Sequence, residues 1–296
     1  TDPDLTDAHT WSIVGSNAGA YGSLALDQTG HWVYTLNNGA ANVQALAAGE
    51  HVTDSFTVQY ADFFGGVATQ TVTVNVTGTN DAPVITGSAT GAVQEDVTAT
   101  VAGQLAATDV DHGATAAWSV VNGAGSYGSL AVDQAGHWTY TLNNGAANVQ
   151  ALAQGETVQE TFTVNVTDDK GAVSAQTVTV NVTGTNDAPA LSGVATATAQ
   201  EDSATTVSGQ LTATDVDHGA TATWSVVDTA GTYGSLAVDQ TGHWTYTLNN
   251  SAANVQALAQ GDTVHDTFTV TVTDDHGASV SQTVTVDVLG RSEEHT

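Results

Sequence analysis

The sequence predicts an all-β protein of tandem antiparallel sandwiches strung like beads, and three observations point there. The string TGTNDAP stands at 77–83 and returns unaltered at 183–189, a spacing of 106 residues that Tyr21, Tyr127 and Tyr233 also obey. A period that long marks whole domains, each burying its own core, and not a solenoid of small stacked units. Within each period, apolar and polar residues alternate strictly, as in Phe162, Val164 and Val166 against their threonine and asparagine neighbours. Alternation of period two with β-branched and aromatic residues is the pattern of half-buried strands. Finally, the chain has no cysteine and no methionine, so packing, with or without hard metal ions, must hold each copy together.

Taken in order through the middle copy, the first strand falls near Ala89. Six more follow over 101–107, 117–121, 129–133, 137–142, 158–167 and 175–183. Asp133 to Gly136 reads as a hairpin turn, and Asn144-Gly145 opens a longer connection in which Val149 and Leu152, three apart, suit one helical turn over the core. Seven strands in about 100 residues is the pattern of an immunoglobulin-like sandwich, here without its cystine. Trp118 and Trp224 fit the buried tryptophan of the third strand. Trp138 and Trp244 alternate inward, with His137 and His243 on the outward face.

The predicted domains are 1–83, lacking its beginning, 84–189 and 190–290. Residues 291–296, Arg-Ser-Glu-Glu-His-Thr, leave the repeat where TNDAP would recur. They resemble the translation of a sequencing-adapter oligonucleotide and are set aside as an artefact. Residues 127–155 and 233–261 differ at two positions only, Ala135/Thr241 and Gly145/Ser251. Near identity of that kind favours added length over specific recognition.

Net charge is −29, and outside the tail Lys170 is the only basic side chain. Nucleic acid and anionic lipid are bound through lysine and arginine, so neither is an expected partner. No apolar run approaches the ~20 residues that a membrane helix needs. No serine lies in a G-x-S-x-G elbow and no H-E-x-x-H occurs, so no nucleophile and base are placed for catalysis and the chain is not read as an enzyme.

The acids gather at strand ends. In a Greek-key sandwich the loop after the second strand and the loop before the last strand share one end, where the preceding linker arrives. Asp109, Asp111 and Asp168 should therefore face Asn80 and Asp81. Two like charges ~5 Å apart at an effective dielectric of 20 repel by roughly 3 kcal/mol, so such a cluster calls for a cation from solution. Carboxylates, an amide and backbone carbonyls are all oxygen donors, a set that suits Ca²⁺.

In copy two, the ordered set Glu95-Asp96, TDVD at 108–111, SLAVDQAGHW at 129–138, Gly155-Glu156, VTDDKG at 166–171 and NDAP at 186–189 is similar to the cadherin repeat. In detail it resembles the bacterial cadherin-like module called the VCBS repeat, found in large adhesins exported by type I secretion. That resemblance implies Ca²⁺ between successive domains. It places Glu50, Asn80, Asp81, Asp109, Asp111 and Asp168 at the first junction, and Glu95, Glu156, Asn186, Asp187, Asp215, Asp217 and Asp274 at the second. The linker is shorter than the cadherin DxNDNxP pattern, and Ala61-Asp62-Phe63-Phe64 stands where TDDK stands in copy two. At the upper end of copy one, Asp2, Asp4 and Asp62 would need oxygens from a further repeat. The implied function is an extender of a secreted or cell-surface bacterial adhesin, stiffened by Ca²⁺ and serving adhesion or biofilm. Its partners would be neighbouring repeats of the same chain, and the chain itself a monomer without membrane insertion. Alternatives are a module that binds surface polysaccharide or a like chain, and a spacer of a secreted hydrolase.

Overall fold

A computed structural model describes residues 8–291. The chain is all-β, 55% strand and 4% helix. Copy one holds β1 (Thr10–Val14), β2 (Gly22–Leu26), β3 (Trp32–Leu36), the single turn α1 (Ala41–Gln44), β4 (His51–Ala61) and β5 (Val67–Thr77). Copy two holds β6 (Val84–Gly87), β7 (Thr90–Gln94), β8 (Thr100–Thr108), β9 (Ala116–Val120), β10 (Gly128–Val132), β11 (His137–Leu142), α2 (Ala147–Gln150), β12 (Thr157–Asp168) and β13 (Val173–Thr183). Copy three repeats it as β14 (Ala190–Gly193), β15 (Thr196–Gln200), β16 (Thr206–Thr214), β17 (Ala222–Val226), β18 (Gly234–Val238), β19 (His243–Leu248), α3 (Ala253–Gln256), β20 (Thr263–Asp274) and β21 (Ser279–Leu289).

In copy two the sheets run β10-β11-β8-β6 and β7-β13-β12-β9. The single strand expected near Ala89 is thus two. β6 pairs antiparallel with β8, the chain steps across at Ser88-Ala89, and β7 joins the other sheet parallel to β13. Gly87 permits the step, because its φ of +113° lies where a side chain is strained. The chain therefore closes both sheets with one segment, leaving short edges that resist pairing with foreign strands.

Between the sheets lie Leu105, Trp118, Trp138, Tyr140, Phe162, Val164, Val178 and Val180. The Trp138 indole N–H donates to Ser88 O at 2.7 Å, which ties the crossing point to the core. The helical turn α2 drops Val149 and Leu152 onto this core, both fully buried. Gly103 lies against the Trp138 ring, where a β-carbon would come within 2.5 Å of it. Gly103→Val should destabilise copy two by about 1–3 kcal/mol through overpacking, read as a lower urea midpoint for that domain.

Among the described residues, copy one forms a three-stranded sheet β1-β4-β5 and a two-stranded sheet β2-β3, without counterparts of β6, β7 and β8. Its core is correspondingly small: Leu24, Phe56 and Val58 are buried, with Trp11, Ile13, Leu26, Tyr34 and Val72 packed partly against them.

Candidate metal centre

The alternation that builds β12 ends at Asp168, and the β8 strand ends just before Asp109, so both acids project from one end of copy two. The linker from copy one meets them there. Asn80 Nδ2 donates to Asp168 Oδ2 at 2.8 Å, and the backbone N–H of Asp81 donates to Asp111 Oδ2 at 2.9 Å. Asp109 is held beside them, its Oδ1 accepting the N–H of Asp111 at 3.0 Å. The second junction repeats the arrangement. Asn186 Nδ2 reaches Asp274 Oδ2 at 2.9 Å, Asp187 N–H reaches Asp217 Oδ2 at 2.9 Å, and Asp217 N–H reaches Asp215 Oδ1 at 3.0 Å.

Two further contacts close each junction. The His112 N–H donates to Ala45 O at 2.9 Å while its Nδ1 meets Glu50 Oε2 at 3.0 Å. At the second junction His218 does the same with Ala151 O and Glu156 Oε2, both at 3.0 Å. Glu50 and Glu156 thus reach across to a histidine, a partner that the residue pattern did not suggest.

The electrostatics sort these acids into two kinds. The Asn80 amide lowers the pKa of Asp168, assisted by the N–H groups of Ala172 and Lys170. Burial pushes Asp274 the other way, but the Asn186 amide and the Ala278 and His276 N–H groups outweigh it and leave that acid lowered too. Glu50 and Glu156 are lowered chiefly by their histidines. Others are strained upward. Burial, then Asp217, Asp96 and Asp215, raise Asp187; burial, then Asp215 and Asp274, raise Asp217 despite the Asp187 N–H. Glu95 is fully enclosed and pushed up to about 7, by burial first and also by Asp187, Asp96 and Asp217. Among the described residues, the Gln150 amide at 2.6 Å and the Thr185 N–H at 3.3 Å donate to its two oxygens.

Several carboxylate oxygens here are buried and have no hydrogen-bond partner: Asp109 Oδ2 and Asp111 Oδ1 at the first junction, Asp187 Oδ2, Asp215 Oδ2 and Asp217 Oδ1 at the second. A buried anionic oxygen without a donor costs more than a neutral polar group would, and normally has a partner. These oxygens are all hard donors, of the kind that suits a divalent cation of the calcium type. As the side chains stand, no three acidic or imidazole groups among the described residues converge closely enough to hold one. The amide donors Asn80 and Asn186 hold Asp168 and Asp274, so the acids are gathered at each junction without being closed around one point.

Two groups of acids have roles that the residue pattern did not assign, although Asp96 was named in the Glu95-Asp96 pair. Asp96 and its counterpart Asp202 have φ of +54° and +58°, each fixed by the side-chain oxygen of Asn144 or Asn250 accepting its N–H. Asp96 is near enough to raise both Glu95 and Asp187. The second group is internal. Asp54, Glu160 and Asp266 are buried, and each carboxylate accepts backbone N–H groups of the loop before β2, β10 or β18 and the hydroxyl of Tyr34, Tyr140 or Tyr246. A visible signal existed: these acids sit on the inward register of an alternating strand, in line with Phe56, Phe162 and Phe268.

At the upper end of copy one, Asp62 Oδ1 accepts the Gly66 N–H at 2.7 Å, and Phe63 and Phe64 lie exposed, edge to face. Asp2 and Asp4 lie outside the described residues, as does the tail beyond Arg291.

The repeated sandwich and its acid-lined joints define a tandem array of cadherin-type domains. A family model described as the bacterial cadherin-like domain matches residues 1–78, 80–184 and 186–290, and the chain belongs to that family. Such domains are extracellular adhesion or structural modules, typically non-catalytic, and generally bind calcium where repeats meet. No curated protein matches the sequence. Solved structures with the same fold include protocadherin gamma B2 extracellular cadherin domains 1–5, at 15% identity and a TM-score of 0.60, covering 97% of this chain and 54% of that one. Mouse cadherin-23 EC22–24 aligns at 19% identity and a TM-score of 0.53, covering 98% and 89%. PcdhgB3 EC1–4 aligns at 16% identity and a TM-score of 0.55, covering 96% and 67%. This chain therefore spans about half to two thirds of the two protocadherin structures. No helix among the described residues is long and apolar enough to cross a membrane.

Proposed function

We propose that this chain is an extender of a bacterial cell-surface or secreted adhesin, made of repeats 1–83, 84–189 and 190–290, whose two junctions are stiffened by calcium. Type I export and a place in adhesion or biofilm belong to the same reading. The observation that supports it best is the set of buried, partnerless carboxylate oxygens repeated at both junctions, Asp111 Oδ1 with Asp109 Oδ2 and Asp217 Oδ1 with Asp215 Oδ2.

When bound, calcium supplies the positive charge that a chain of net charge −29 cannot supply itself. The residues divide the remaining work. Asp81 and Asp187 tie the linker to the following domain through their N–H groups, which leaves their carboxylates free. Asp109, Asp111, Asp215 and Asp217 offer oxygen from the loop after the second strand, and Glu95 offers it from the domain above the second junction. Asn80 and Asn186 hold Asp168 and Asp274 in place until needed. Extracellular modules of this kind bind at ~10⁻⁴ to 10⁻³ M, so cytoplasmic levels would leave the joints free to pivot and external fluid would lock them.

Small-angle scattering of the chain, with millimolar calcium and with chelator, tests this. Calcium should increase the maximum dimension and remove signs of flexibility. Identical curves in the two buffers would sink the stiffening mechanism while leaving the fold untouched.

A further inference from the structure

One of the two positions at which 127–155 and 233–261 differ changes the chemistry of an asparagine. In copy two the turn between β11 and α2 carries Asn144-Gly145; in copy three the same turn carries Asn250-Ser251. Both asparagine side chains make the same pair of contacts. Asn144 Oδ1 accepts the Asp96 N–H at 2.9 Å while its Nδ2 donates to Asp96 Oδ1, and Asn250 does likewise with Asp202, at 3.0 and 2.7 Å. The backbone oxygen of each accepts a glutamine amide, from Gln150 at 3.0 Å and from Gln256 at 2.8 Å. In copy two that same amide donates to the buried Glu95. Asp96 lies near enough to Glu95 and Asp187 to raise both, so Asn144 stands one contact away from the acids of the second junction.

We propose that Asn144-Gly145 is a spontaneous modification site, where loss of the side-chain amide turns a donor to Asp96 into a carboxylate and loosens the loop that carries Glu95 and Asp96 at the second junction. The reaction needs only water. The Gly145 nitrogen gives up its proton to solvent and bonds to Asn144 Cγ; the Cγ–Nδ2 bond breaks, and the nitrogen leaves as ammonia with a proton taken from water. Water then opens the five-membered imide at either carbonyl, giving aspartate or isoaspartate with no change of oxidation state. The following residue governs the rate, because glycine has no β-carbon to obstruct its nitrogen and serine has one. The fold leaves the nucleophile free. Among the described residues the Gly145 N–H has no hydrogen-bond acceptor, and the space around its α-carbon is open, with nothing within 4 Å of where a β-carbon would stand. The product still accepts the Asp96 N–H but has no hydrogen to give Asp96 Oδ1, so two carboxylates face each other where a bonded pair stood. Asp96 holds a φ of +54°, a conformation that depends on such bonds. Isoaspartate also adds a carbon to the main chain and turns the carbonyl that holds Gln150 into a side-chain carboxylate.

The test ages the full chain in warm, mildly alkaline buffer, in chelator so that the outcome is separate from the calcium reading, and follows each site by peptide mapping and mass spectrometry. Mapping also separates Asn144 from Asn38-Gly39 and Asn122-Gly123, which share the dipeptide. Conversion at Asn144, a gain of one mass unit with both aspartate and isoaspartate as products, should run several-fold faster than at Asn250. Gly145→Ser should bring Asn144 down to the Asn250 rate, and Ser251→Gly should bring Asn250 up; each variant carries the residue with which the sister copy already folds. Asn144→Asp, which begins as the product, should speed amide hydrogen exchange across 94–98 several-fold and leave 200–204 unchanged. Equal conversion at Asn144 and Asn250, rates indifferent to the exchanged neighbours, or parental exchange across 94–98 in Asn144→Asp would each overturn the inference. So would conversion of Asn144 only after the chain is unfolded in urea.

Discussion

Asp217→Ala is expected to weaken calcium binding at the second junction about tenfold to a hundredfold, while the urea midpoints of copies two and three in calcium-free buffer do not fall. Asp217 is 8% exposed and serves both sides of the joint. Its Oδ2 holds the linker through the Asp187 N–H, and its Oδ1 is buried without a donor. Asp217→Asn separates those roles, because an amide oxygen still accepts the Asp187 N–H but carries no charge. It should lose affinity nearly as much as alanine. In chelator its effect should reverse in sign. Burial, Asp215 and Asp274 raise the Asp217 pKa, which means that the folded protein disfavours the charged form, so a neutral isostere relieves a cost. Asp217→Asn should therefore melt higher than the parent without calcium and lose that advantage with it. Calorimetry and paired melting curves check both halves; a parental isotherm from Asp217→Ala would remove Asp217 from the site.

Asp266→Ala is expected to cost copy three about 3–5 kcal/mol, a large part of one domain's stability. Its carboxylate accepts the N–H groups of Thr232, Tyr233 and Gly234 at 2.8, 3.0 and 2.9 Å and the Tyr246 hydroxyl at 2.8 Å. Alanine leaves all four donors without that acceptor, the Tyr246 hydroxyl on a fully buried side chain and the three N–H groups part-buried. The substitution should lower the thermal transition of copy three and leave the junctions' calcium affinity unchanged. Loss of calcium binding with the fold intact would show that the loop, and not the joint, had been misread.

The same device in copy one sets a pH dependence. Burial alone would raise Asp54, but the Tyr34 hydroxyl and the N–H groups of Tyr21, Ala20 and Gly22 prevail and leave its pKa lowered. A carboxylate whose folded pKa is depressed adds stability above the ordinary pKa near 3.8, and that stability is lost as pH falls through the lower folded value. Copy one should therefore loosen below pH ~4, and Asp54→Asn should flatten this acid limb while lowering stability at neutral pH. Tryptophan emission from Trp11 and Trp32 during acid titration follows it.

Much of this was legible in the linear order of residues. Alternation placed β10 to β13 closely, and the Val149–Leu152 spacing marked the helical turn. The expected meeting of Asn80 and Asp81 with Asp111 and Asp168 followed from Greek-key connectivity. The split of the first strand was not legible, because β6 and β7 are short and only the position of β13 decides that the chain must cross. Nor was the pairing of Glu50 and Glu156, both placed at the junctions by the resemblance, with histidines that come from the next domain.

Sequence by itself determined the period, the strands and the clustering of acids at strand ends, all of which depend on residue type and local spacing. Tertiary structure alone decided which acids became what. Glu156 and Glu160 lie four residues apart; one faces a joint and the other is enclosed beneath a loop against Tyr140. Glu95 is fully buried and meets an N–H donor from Thr185, far along the chain. A carboxylate's charge state and role are set by the donors and neighbouring acids that reach it in space, and those arrive from strands that no local pattern connects.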